Sequence, residues 1–155
     1  MFQFLAALLQ QFILSLEGNT SLFPGGMKLH LYTNNQTPTQ SSALGDFTAL
    51  TNVEVPGYVP GAPTWLGTPY RNQDASWVDY QTVVDFVATG APPSPQTVYG
   101  WYLTDSAGAT LVAAGLLAVP FTFTETGDGF GLQGEMKVNQ ETSSDYGVTL
   151  NYLQQ

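Results

Sequence analysis

The chain has no cysteine, one histidine and only three lysines and arginines in 155 residues. Without cysteine it can form no disulfide, bind no metal through thiolates and use no cysteine nucleophile. Stability must therefore come from packing or from assembly. One histidine cannot build an ordinary zinc site unless several carboxylates fill the other positions. Three cationic residues against twelve Asp and Glu give a formal charge of -9, the wrong sign for phosphate backbones, so nucleic acid is not expected as a direct partner. Charge of either sign is scarce, at 10% of residues where a soluble domain averages about 25%. Much of the surface must be neutral polar or covered by another protein. The acids, among them Glu54, Asp74, Asp79, Asp85 and Asp105, are scattered singly, a pattern that serves solubility rather than a docking tail.

What the chain does have is apolar side chains, 43% of residues, with 13% aromatic. The length suits one domain with a sizeable core. The opening MFQFLAALLQQFILSLEG surrounds a narrow stripe of Gln3, Gln10 and Gln11 with Phe2, Phe4, Leu5, Leu8, Leu9, Phe12, Ile13 and Leu16, as a helix buried on most sides would. It has no basic start for a signal peptide, and it stops short of the ~20 apolar residues that a bilayer span requires. The expectation is an apolar helix or arm over 1–24, packed on its own domain or on a neighbouring subunit, ahead of a single β-sandwich domain over 25–155.

After Gly25-Gly26 the period changes to two. Met27, Leu29 and Leu31 alternate with Lys28, His30 and Tyr32, which predicts a half-buried strand. A polar loop follows, and Ser42 is placed to cap a short helix carrying Ala43, Leu44, Phe47 and Leu50 over one end of the sheet. Residues 52–70 hold too many Pro and Gly for regular structure, yet Val53, Val55, Tyr58, Trp65 and Tyr70 can still pack. Asp105-Ser106-Ala107-Gly108 reads as a hairpin turn between two apolar runs, and Gly115 as a bulge or a close backbone approach. TETGDGFG reads as a second turn, with GEMKVNQ and YGVTLNYL as closing strands. Six to eight short strands predict an all-β, antiparallel, jelly-roll-like sandwich.

Reactive chemistry is sparse. His30 sits on the outward face of its strand as an exposed bystander, with no GxSxG elbow to suggest a triad. Acid-pair hydrolysis needs only two carboxylates, and Asp74, Asp79, Asp85, Glu125 and Asp128 are the candidates. Glu125 and Asp128 could also face calcium, but the stretch lacks the ligand spacing of a calcium loop. Trp65, Tyr70, Trp77, Tyr80, Trp101 and Tyr102 could offer sugar-binding platforms, against the stronger tendency of such rings to be core.

The stretch Met27 to Tyr58, MKLHLYTNNQTPTQSSALGDFTALTNVEVPGY, resembles a set of small tailed-bacteriophage virion proteins that open with a strand, NN-x-TP, L-x-D-[FL]-T and GY. Leu29, Leu31, Asn34, Asn35, Thr37, Pro38, Leu44, Asp46, Phe47, Thr48, Gly57 and Tyr58 carry the match. The resemblance implies a structural component of a phage particle, without catalytic or cofactor residues. Together with the low charge and the apolar opening, it leads to the expectation of a head decoration or cement protein. Such a protein would be homotrimeric, assembled in the host cytoplasm and bound to the major capsid protein on the outside of the head. Phe2, Phe4, Leu8, Leu9 and Phe12 would make the apolar contacts, with Trp65 and Tyr70 as secondary contacts. The alternative is a tail or fibre module that binds host glycan through exposed aromatics.

Overall fold

The computed structural model describes residues 26–66, 70–71, 77–140 and 146–155. The expected arm over 1–24 lies outside the described residues. The described residues form eight strands: β1 (Met27–Tyr32), β2 (Tyr70–Arg71), β3 (Trp77–Tyr80), β4 (Val84–Val87), β5 (Gln96–Asp105), β6 (Leu111–Phe123), β7 (Gly129–Gln140) and β8 (Tyr146–Gln154). All pairings are antiparallel, and the chain is an all-β sandwich. One sheet has the order β1-β5-β6, and the other gathers β2, β3, β4 and β8 around β7.

The long strand β7 organises the second sheet. β8 pairs with it from Leu132 to Gln140, a span that overlaps both the β3 partners and the β4 partners on β7. A strand has two edges, so β3 and β4 share the edge opposite β8. They are one strand broken by a bulge: the four steps from Tyr80 to Val84 oppose the three steps from Glu135 to Leu132. Gln81 sits in this break and donates its backbone N–H to the Gly134 carbonyl at 2.8 Å. The break re-aims side chains, as β-bulges do.

Between the sheets lie the residues that the two-residue period marked. Leu29, Leu31, Leu103, Leu132, Met136 and Leu150 are fully buried in one cluster with Trp101, Phe86 and Phe130. Each large side chain so buried contributes roughly 1.5–3 kcal/mol. Trp101 of the first sheet meets Tyr152 of the second with ring centroids 4.5 Å apart.

The first sheet is covered on its outer face as well. Tyr32, Phe47, Tyr102, Leu111 and Ala114 form a second cluster, with Leu44 and Ala49 against it. The cover is the loop 33–50, and its own polar residues hold it down. Asn34 donates its amide N–H to the Asp46 carbonyl at 2.7 Å and accepts the Thr48 N–H at 2.7 Å. The Leu31 N–H donates to the Tyr58 hydroxyl at 2.9 Å.

The expected Ser42-capped helix is instead a single 3-10 turn, Leu44–Asp46, preceded by Ala43 and without a side-chain cap. The Ser42 hydroxyl accepts the Thr39 N–H within the loop, and the Asp46 carboxylate receives the Ala43 N–H. Phe47 turns to the outer cluster while Leu50 enters the main core, so the segment spans a sheet edge, which a helix with one apolar stripe could not do. The predicted hairpin joins β5 to β6, with Gly108 at φ 76°.

Candidate functional site

Asp79 and Asp85 do not converge. Asp79 pairs with the inward Met136 and is fully buried. Asp85 pairs with Gly131 and is exposed on the outward face. Directly opposed residues share a face, so these two acids lie on opposite sides of one sheet. Asp128 is committed to its turn: its carboxylate accepts the Thr124 N–H at 2.6 Å, the Thr124 hydroxyl at 2.8 Å and the Glu125 N–H at 2.9 Å. Those bonds favour the charged form and hold its pKa below the usual carboxylate range. Asp74 lies outside the described residues.

His30 is not the exposed bystander expected from alternation. The cover over the outer face half-buries it, stacked on Tyr102 at 4.6 Å with the rings nearly parallel. Its Nε2 lies 3.1 Å from the Thr104 hydroxyl. Burial, aided by Lys28, lowers its pKa.

The main buried polar feature lies at the β3–β4 break. Gln81 is fully buried, and its Oε1 accepts a short hydrogen bond from the Tyr152 hydroxyl. Gln81 Nε2 and Trp65 Nε1 are buried donors without a partner among the described residues. Trp65 bridges to Gln81 and, partly buried, packs against the main core. Trp101 and Tyr102 are buried while Trp65 and Tyr80 are partly buried, which removes Trp101 and Tyr102 as open stacking platforms. Trp77 and Tyr70 are placed by backbone, in β3 and in β2 opposite Val78.

What the 51–66 loop does expose is aliphatic. Val53 is 81% exposed, Val59 69% and Leu66 50%. The loop is nevertheless firmly tied. Val55 and Tyr58 are buried anchors, the Glu54 carboxylate accepts the Thr51 N–H and hydroxyl at 2.8 Å each, and Asn52 accepts the Gly57 N–H at 2.7 Å. Gly57 has φ +91°, and a Cβ there would fall 2.6 Å from the methyl of Thr89. Only glycine satisfies both the turn and the contact. Gly61 bridges to Leu29 on the first sheet and Trp65 to Gln81 on the second, so the loop closes that side of the sandwich while holding Val53 and Val59 in water.

Of the expected contact residues, Trp65 is partly buried and packs against the main core. Phe2, Phe4, Leu8, Leu9 and Phe12 lie outside the described residues. Val53, expected to pack, is exposed together with Val59 while Val55 is the buried anchor, because alternation in a Pro/Gly-rich loop does not say which valine is anchored. No protein-family model, curated protein or solved structure matches this chain.

Proposed function

We propose that this chain is a non-enzymatic bacteriophage structural protein, a decoration or cement protein. It assembles in the bacterial host cytoplasm as a jelly-roll-like homotrimer and binds the major capsid protein on the outer surface of the head. The observation that carries this reading is the tied 51–66 loop, which spends buried anchors and side-chain hydrogen bonds to hold Val53 and Val59 exposed. A preorganised apolar contact loses little conformational freedom on docking. Many copies that bind only the assembled lattice stabilise it by mass action, each contributing modestly. The apolar opening, with Phe2, Phe4, Leu8, Leu9 and Phe12, supplies further contact.

Co-sedimentation with undecorated capsid shells tests the reading. The full-length protein should bind saturably, and the Val53→Asp/Val59→Asp variant should bind at least tenfold more weakly while melting as the wild type does. Equal binding by that variant would remove the loop from the contact.

A further inference from the structure

The sandwich has two different sides. Residues 61–66 seal the side formed by β1 and the β3–β4 strand. On the other side, β6 ends the first sheet and β8 ends the second. The two edges approach each other there, and the Val119 N–H donates to Gln154 Oε1 at 3.3 Å. Among the described residues no strand pairs with the outer edge of either.

The charges avoid this side. β1 carries Lys28, β2 Arg71, β3 Asp79, β4 Asp85, β5 Asp105, and β7 Glu135 and Lys137, whereas β6 and β8 carry none. Free edge strands ordinarily carry charges that block pairing with another chain. Here the two open edges are the two strands without charge, with Pro120 of β6 as the one blocking residue, and they expose Leu116 (47%), Val119 (65%) and Leu153 (40%).

We infer that the β6/β8 side is the self-association surface, and that its occupant is a second copy of this chain. The charge distribution selects that occupant. Copies with a formal charge of -9 repel one another least where neither presents charge, whereas a basic partner would seek the acids elsewhere. The two edges belong to different sheets, so β6 of one copy can meet β8 of the next. Repeated head to tail, that contact is heterologous, and it closes as a ring where the rotation between successive copies closes on the first. The inference deepens the homotrimer proposed above and rests on that reading for the number of copies.

Sedimentation equilibrium of the full-length protein over a range of concentrations tests it. The wild type should have the mass of three chains. The Val119→Lys/Leu153→Lys variant should have the mass of one, and Val87→Lys, which places a lysine on the outer face of β4, should keep three. Thermal melts of each variant establish that it is folded. A wild-type mass of one or two chains would overturn the inference. So would a double variant that stays trimeric, including the case in which deletion of residues 1–24 alone gives a monomer. Trimers that dissociate as expected but ignore capsid shells would overturn the capsid reading alone, and a monomer that binds shells would overturn this one alone.

Discussion

At the scale of single residues, close approach and burial set the constraints. Gly115 faces Trp101 across the β5–β6 pair, and a Cβ there would lie 2.6 Å from the indole ring. Gly115→Ala should therefore cost about 1–3 kcal/mol, as overpacking in a filled core does, measured by urea unfolding. Gly115 was legible in the sequence as a close approach, but its partner was not, because the hairpin register alone decides what lies opposite. Gln81 shows a different limit. A glutamine between two strand-like runs carries no sign that a bulge turns it inward onto Gly134 and Tyr152. Tyr152→Phe would leave Gln81 Oε1 without that partner and should cost about 1–3 kcal/mol, while Gln81→Leu/Tyr152→Phe should recover most of the loss. His30 contributes a pH dependence. Its folded pKa lies below 6.5, so below pH 6.5 the unfolded chain takes up a proton that the folded one resists, and stability falls. His30→Phe should remove that limb from melting curves recorded between pH 7 and pH 5.

Among the elements, the strands were the most legible parts and the helix the least. Alternation in MKLHLY gives β1 with its inward face correct, and Asp105 to Gly108 gives the β5–β6 turn. The 33–50 segment misleads because its apolar residues serve two clusters on different faces, a division that looks helical when read along one dimension. Its polar motif residues make sense only in the fold, where Asn34 clasps Asp46 and Thr48. The turns carry a second pH limb. Asp105 and Asp128 both have pKa values held below 3.8 by backbone N–H donors, chiefly those of Ala109 and Thr124. Their stabilisation is present above the unfolded pKa and is lost as pH falls through the folded values. Asp128→Ala should lower the melting temperature at pH 7 and flatten its decline below pH 4, by differential scanning fluorimetry across pH 2–7.

At the scale of the whole molecule, composition foretold a surface with little charge, but only the topology says where the uncharged regions gather. Among the described residues the large exposed aliphatics fall on the 51–66 loop, on β6 and β8, and on the 83–87 segment at β4. Of the aromatics that suggested sugar binding when read in sequence, Trp101 packs in the main core and Tyr102 in the outer cluster. A rigid antiparallel sandwich with an aliphatic loop on one side and uncharged edges on the other is suited to repeated contact with like-built neighbours. If it cements a capsid, binding must transmit stability to the lattice. The most direct measurement is the temperature at which undecorated capsid shells rupture, followed as this protein is titrated in. The rupture temperature should rise and then level off at a fixed ratio of this protein to the major capsid protein. An unchanged rupture temperature in the presence of excess folded protein would contradict the account.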